Sequence, residues 1–303
     1  MEQPSVGLPP FHLHLETILF WVLICLLYFF SLAYFGSISR LKATISQKVL
    51  FLSGVGVAFL ATTWPLHDIS DGYLYSAHMV QHILLMLVVP PFMLWGTPAW
   101  LIERALPTPV LKALRKIARP VAATLAYNSV VALSHWPLLV DLMSRSNLFH
   151  QSMHLLIIAG AFIMWLPVYS PTPRIRRISP PAQMLYLFVQ SILPTVPASF
   201  FTFAQGVIVP FYGEAPRLYG VSVLSDQQMA GFVMKVIGGL VIWTYLAVIF
   251  FRWYAVEGQE AGIPSRFRGG GGGGTNPRWE PHPGPSPTEA RDDTDALVVS
   301  GHP

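Results

Sequence analysis

Residues 76–95 read SAHMVQHILLMLVVPPFMLW, and this stretch decides the class of fold. A helix that crosses a membrane needs about 20 predominantly apolar residues, and this stretch contains no Asp, Glu, Lys or Arg. It does contain two histidines, His78 and His82, placed one helical turn apart near its start. The stretch therefore predicts a transmembrane helix that carries two imidazoles close to one membrane surface.

The composition of the whole chain is that of a membrane protein. Of its 303 residues, 53% are hydrophobic and 11% are charged, whereas a soluble domain carries about 25% charged residues. Seven stretches are long and apolar enough to span a bilayer, namely residues 17–38, 48–65, 76–95, 120–139, 149–169, 182–205 and 229–251. We therefore predict an all-α integral membrane bundle of seven transmembrane helices over residues 1–256. A disordered Gly- and Pro-rich tail over residues 257–303 is predicted to follow it.

The lysines and arginines predict the orientation of this bundle. The loops after the first, third and fifth predicted helices, and the segment after the seventh, carry most of them; the remaining loops carry only Arg145 and Arg217. Because basic loops stay in the cytoplasm, we expect the N-terminus outside and the C-terminus in the cytoplasm. The basic residues are scattered over short loops, so no basic face for nucleic acid is expected.

A second pair of histidines repeats the spacing of the first. In FHQSMHLLII, His150 and His154 begin the fifth predicted helix as His78 and His82 begin the third. Residues i and i+4 share one face of a helix, so each pair can direct two imidazoles at one point. Imidazole is the commonest metal ligand, and ionisable groups within a membrane are costly. The pairs therefore predict a metal site near the outer surface, although a single interfacial imidazole can also sit among lipid headgroups.

Other residues on the same side are candidates for this site. His135 lies near the outer end of the fourth predicted helix and is a candidate ligand. His67 follows the second predicted helix and is either an accessory group or a solvated turn residue. Met79 and Met153 adjoin the histidines, and a thioether favours Cu(I), although methionines in bundles mostly pack. Asp226 begins the last predicted helix, either as its N-cap or as a partner that orients an imidazole.

Four segments together resemble a known family. They are AHMVQHILLM, SHWPLLVD, FHQSMHLLIIAGAFIMWLPV and SDQQMAG, which occur in this order within residues 64–251. The chain thereby resembles the CtaG family of cytochrome c oxidase assembly factors, which are bacterial multi-pass membrane proteins. The positions that match the motifs of this family are His78, His82, His135, His150, His154 and Asp226. Lys235 departs from the pattern, since an apolar residue is expected there.

The resemblance implies a function. It implies a bacterial plasma membrane protein whose partners are the lipid bilayer and cytochrome c oxidase subunits, and which delivers copper to the oxidase. Three alternatives remain open: a haem-binding membrane cytochrome, a metal or proton transporter, and an assembly scaffold that binds no metal. No nucleophile triad, nucleotide-binding loop or carboxylate pair is evident in the sequence, so we expect no enzymatic activity.

Overall fold

The computed structural model describes residues 5–260, and within them the chain is predominantly helical. The first twelve helices are α1 (Leu15–Ser39), α2 (Ile45–Ala61), α3 (Leu66–Gly72), α4 (Tyr75–Gly96), α5 (Ala99–Ala105), α6 (Thr108–Ile117), α7 (Pro120–Ser134), α8 (Pro137–Ser144), α9 (Asn147–Tyr169), α10 (Pro180–Ile192), α11 (Thr195–Thr202) and α12 (Pro210–Glu214). The last helix, α13, comprises Val223–Phe232, the π-helical segment Val233–Ile237 and Gly238–Glu260. Strands β1 (Ser5–Val6) and β2 (Arg217–Leu218) form one short parallel pair.

The predicted all-helical class is confirmed for the described residues, and several of the helices are candidate membrane spans. Within residues 5–260, five helices are long and apolar enough to cross a membrane: α1, α4, α9, α10 continued by α11, and α13. A sixth candidate is the pair α2 and α3, which is bent by 44°. The structure therefore supports five to six of the seven predicted spans by helix length and composition.

The fourth predicted span, residues 120–139, is not one continuous helix. Helix α7 ends at Ser134, and α8 begins at Pro137. Proline disfavours helical backbone at the residue before it, and Trp136 is extended, with ψ of 127°. The 15 residues of α7 measure about 22 Å along the helix axis, less than the hydrocarbon core of about 30 Å.

Proline also interrupts the sixth predicted span. Helix α10 ends at Ile192 and α11 begins at Thr195, on either side of Pro194. Pro197 lies in the first turn of α11. The N–H groups of a first turn have no partner within the helix, so the N–H that proline lacks costs α11 no hydrogen bond.

Helix α4 is central to the bundle. In its most apolar stretch 67% of the residues are buried within the protein, against 11% for α1, whose leucines and phenylalanines face outward. The middle of α4, Leu84–Val88, is π-helical. The indole Nε1 of Trp165, a fully buried residue of α9, donates to the carbonyl of Met86 in this segment at 3.0 Å. Helices α4 and α9 are thus packed neighbours.

The end of α13 reaches the predicted tail. Residues 257–260 continue this helix, and the remainder of the predicted tail lies outside the described residues.

Lys235, the residue that departs from the family pattern, lies in the π-helical segment of α13. Its Nζ is 5.4 Å from the centre of the Phe203 ring, which gives the ammonium a cation–π partner.

Candidate metal centre

The first histidine pair is positioned by a cap on α4. His78 and His82 lie in the first turns of this helix and are 4% and 3% exposed. The backbone N–H groups of Tyr75 and Ser76 donate to the Asp226 carboxylate at 2.7 and 3.0 Å, and Ser76 Oγ donates to it at 2.5 Å. A carboxylate is favoured here because the first N–H groups of a helix are unpaired and carry partial positive charge.

The capping role of Asp226 differs from the predicted one. Ser222 is the N-cap of α13, because its side chain accepts a hydrogen bond from the N–H of Ser225. The prediction that Asp226 caps its own helix is therefore wrong. The residue instead caps α4 from across the bundle, and it positions that helix as a whole through Tyr75 and Ser76.

The second histidine pair lies opposite the first. His150 and His154 occupy the first two turns of α9, and their Nε2 atoms are 2.8 Å apart. His154 Nε2 is also 3.2 Å from His82 Nε2, and the ring centres of His78 and His154 are 5.4 Å apart. The structure thus brings together two pairs that are far apart in the sequence.

Asp71 of α3 orients one of these imidazoles. Its Oδ1 lies 3.0 Å from His150 Nδ1. A ring nitrogen that faces a carboxylate carries the hydrogen, so His150 Nε2 retains its lone pair on the side of His154. Such carboxylate–histidine pairs orient the ligands of metal sites. Asp71 is absent from the predicted site residues; its position in the acidic segment just before the first histidine pair is the signal that points to it.

His135 completes what we call the inner cluster, the group formed by His78, His82, His135, His150 and His154. It follows the last residue of α7, and its ring centre is 5.5 Å from that of His82. Its Nδ1 donates to the carbonyl of Val131 at 2.8 Å. This bond fixes the tautomer, so Nε2 carries a free lone pair.

Three ring nitrogens of the inner cluster are buried without a hydrogen-bond partner among the residues that the structure describes. They are Nδ1 of His78, Nδ1 of His82 and Nε2 of His135. An unsatisfied buried polar atom costs about 1–3 kcal/mol. One ring nitrogen from each of His78, His82 and His154 lies within 4.8 Å of the others. A neutral imidazole binds metal through the lone pair of its unprotonated ring nitrogen. A metal ion in the cluster would therefore offset the cost of burying these nitrogens without a partner.

The predicted accessory residues occupy different surroundings. Met79 is 2% exposed and belongs to the main hydrophobic core, whereas Met153 is half-buried. His67 Nδ1 is 3.2 Å from Gln81 Nε2, and the His67 ring centre is 4.9 Å from that of His14. The structure therefore places His67 beside the segment that precedes α1.

A comparison with protein families identifies the group to which these features belong. The model of the cytochrome c oxidase caa3 assembly factor family, Caa3_CtaG, matches residues 26–255. The matched range includes every histidine of the inner cluster and Asp226, and it confirms the resemblance carried by the four sequence segments. No curated protein and no solved structure gave a significant match.

Proposed function

Because the chain belongs to the cytochrome c oxidase caa3 assembly factor family, we propose that it binds copper in the inner cluster and passes it to a subunit of the oxidase. Family membership accounts for the association with the oxidase and suggests a non-catalytic role. Copper is inferred from the chemistry of the cluster and from the need of a haem-copper oxidase for this metal.

One observation carries the proposal: one ring nitrogen from each of His78, His82 and His154 lies within 4.8 Å of the others, and three ring nitrogens of the inner cluster are buried without a hydrogen-bond partner among the described residues. Imidazole suits copper, zinc, iron and nickel, so the donor set admits copper without selecting it alone. Both π-helical segments lie in the two helices that carry His78 and Asp226, and such segments occur frequently at functional sites. A cluster held by preformed helices needs little rearrangement to bind or release an ion.

We further propose that the protein lies in the bacterial plasma membrane with seven spans and its N-terminus outside. The inner cluster occupies one end of the bundle, at the beginnings of α4 and α9 and the end of α7. The distribution of lysine and arginine assigns this end to the outer surface. Copper bound there would be accessible to an oxidase subunit that receives its metal from outside the cytoplasm.

The test combines metal content with oxidase assembly. We expect detergent-purified wild-type protein, loaded with Cu(II), to retain copper by mass spectrometry, and the His78→Ala/His82→Ala variant to lose it. In cells, this variant should lower oxidase activity while its own level in the membrane stays normal. A matched control is His282→Ala/His302→Ala, which removes two histidines that lie beyond the family match and should change neither quantity.

The other outcomes separate the remaining functions. Normal oxidase activity in the His78→Ala/His82→Ala variant contradicts copper delivery by this cluster. Copper in neither protein, together with loss of oxidase assembly when the whole protein is removed, indicates a scaffold. A haem absorption band in the purified wild type indicates a membrane cytochrome, and copper uptake into vesicles that contain the protein indicates a transporter.

A further inference from the structure

A second group of metal-binding side chains lies outside the inner cluster. We call His12, His14 and Asp68 the outer cluster. His14 Nε2 is 2.8 Å from Asp68 Oδ2, and His12 Nδ1 is 4.0 Å from Asp68 Oδ1. One ring nitrogen from each histidine and one carboxylate oxygen all lie within 4.8 Å of one another. The side chain of His12 is 70% exposed, whereas those of His14 and Asp68 are 10% and 15% exposed.

The segment that carries these two histidines is fixed to the bundle. The indole Nε1 of Trp64 donates to the carbonyl of Pro9 at 3.3 Å, and its ring meets that of Phe11 edge-on at 5.5 Å. Upstream, β1 pairs with β2, which lies between α12 and α13. The chain that leads into His12 and His14 is therefore held against the bundle at β1, Pro9 and Phe11, as a preorganised site requires.

An ion pair between His14 and Asp68 alone explains less of this geometry than a metal site does. Such a pair does not require the exposed ring of His12 to meet that of His14 edge-on at 4.8 Å. It also leaves unexplained a second carboxylate, since Glu16 Oε1 is 3.6 Å from His14 Nδ1. Glu16 can hold the hydrogen of His14 Nδ1, so that Nε2 can give up its hydrogen when a metal ion binds. His14, His12 and Asp68 then form a donor set of nitrogen and oxygen, which suits a divalent ion such as Cu(II) or Zn(II).

Helix α3 connects the outer cluster to the inner one. It presents Asp68 to His14 and, one turn later, Asp71 to His150. The ring of His67, on the same helix, lies 4.9 Å from that of His14. A single helix of seven residues thus contacts both clusters.

We propose that the outer cluster binds Cu(II) at the membrane surface and is the entrance through which the inner cluster fills. The ion moves by exchange of ligands along α3 and keeps its oxidation state. The choice of copper rests on the proposed function, but the outer site does not. His12 and His14 precede residues 26–255, so Asp68 is the one residue of this site that lies within the family match.

Binding is tested on the full-length protein in detergent with Cu(II) alone as the probe. Copper is counted by mass spectrometry, and its ligands are identified by electron paramagnetic resonance through nitrogen couplings. We expect His12→Ala/His14→Ala to lose one equivalent of Cu(II) and its nitrogen-coupled signal, and His282→Ala/His302→Ala to lose neither. Asp68→Asn, which removes only the charge, should weaken the same signal. Equal copper content and spectra in the wild type and His12→Ala/His14→Ala would overturn the proposal.

The entrance role is tested by the time course of loading. Aliquots are washed briefly with EDTA, which strips exposed copper, and the retained copper is counted. The His12→Ala/His14→Ala variant should lose the fast phase of filling yet reach the same final content; an unchanged time course contradicts an entrance.

The two proposals fail in different ways. If His78→Ala/His82→Ala keeps all its copper while His12→Ala/His14→Ala loses one equivalent, the inner site is wrong and the outer one stands.

Discussion

At the scale of single residues, Asp71 has a role that can be separated from metal ligation. Asp71 is not in the group formed by the ring nitrogens of His78, His82 and His154, but its Oδ1 lies 3.0 Å from Nδ1 of His150. We expect Asp71→Asn to leave the copper stoichiometry unchanged and to weaken copper binding about 10–100-fold, the usual effect of losing such a partner. Competition with a chromogenic copper chelator measures this affinity. Asp141→Asn is the matched control, and equal affinities in the two variants would count against the role.

Asp226 is the second residue whose effect can be isolated. Its carboxylate is 2% exposed and accepts three hydrogen bonds from Tyr75 and Ser76. Hydrogen bonds to charged groups contribute about 1.5–3 kcal/mol each, so we expect Asp226→Ala to lower the free energy of unfolding by at least this amount. Ser222→Ala removes the cap of α13 itself and should cost about 1 kcal/mol. Thermal unfolding in detergent compares them, and an equal or smaller loss in Asp226→Ala would show that the cap on α4 is unimportant.

At the scale of helices, the contact of α13 with α11 positions Asp226. A Cβ on Gly231 would lie 2.4 Å from Thr202 Oγ1 and 2.6 Å from the carbonyl of Ala198, closer than packed atoms allow. We expect Gly231→Ala to separate these helices and to destabilise the fold by about 1–3 kcal/mol. Gly239, two turns further along, has no such neighbour within 4 Å. Gly239→Ala should therefore be neutral or stabilising, and similar unfolding temperatures for both variants would contradict the close packing.

Helices α8 and α12 are joined by an ion-pair group outside the predicted spans. Arg145 donates to Asp141 and Glu214, both at 3.0 Å, and Asp141 also accepts the N–H of Phe211 at 2.9 Å. The hydrogen bonds from Arg145 hold the pKa of both carboxyls below their ordinary values. A carboxyl whose pKa is lowered by folding stabilises the fold at pH values above its unfolded-state pKa, which is about 4. This contribution disappears as the pH falls through the folded-state pKa.

The expected result is a pH-dependent difference between two proteins. Arg145→Gln should unfold at a slightly lower temperature than the wild type at pH 7, and the gap should close as pH falls below about 4. The difference between the two proteins is used because every other ionisable group is common to both. The expected difference in unfolding temperature is small, since Arg145 and Glu214 are exposed and Asp141 is only half-buried. A gap that persists unchanged at acid pH would show that the carboxyls do not carry it.

The sequence predicts local features of these helices better than their contacts. Helical spacing alone predicts that His78 and His82 share one face of a helix, and the break at Pro194 follows from the local chemistry of proline. The contacts of Asp226 with Tyr75 and of Asp71 with His150 join separate helices, and one chain without packing information does not determine which helices are neighbours. The break at Trp136 was missed because Pro137 lies within an otherwise apolar run, so hydropathy continued across it.

At the scale of the whole molecule, the inner cluster constrains the path of the chain. His78 and His82 at the beginning of α4 meet His154 at the beginning of α9, so the chain that leaves α4 at its far end, Gly96, must return before α9 starts. Between them, the amphipathic helix α6 buries Leu111 and carries Lys112, Arg115 and Lys116, as an interfacial helix does. His135, at the end of α7, is back beside His82, with ring centres 5.5 Å apart. These contacts favour α7 as the returning span, although it is short.

This path predicts opposite locations for the two ends of α7. A reporter fused after residue 119 should lie in the cytoplasm, so green fluorescent protein should fluoresce and alkaline phosphatase should be inactive. After residue 145 the result should reverse, because one more span has been crossed. The same result at both positions would mean that α7 does not cross the membrane. Six spans would then remain, and the two termini would lie on the same side of the membrane. The positive-inside assignment of the inner cluster to the outer surface would then fail, and copper delivery from outside would fail with it.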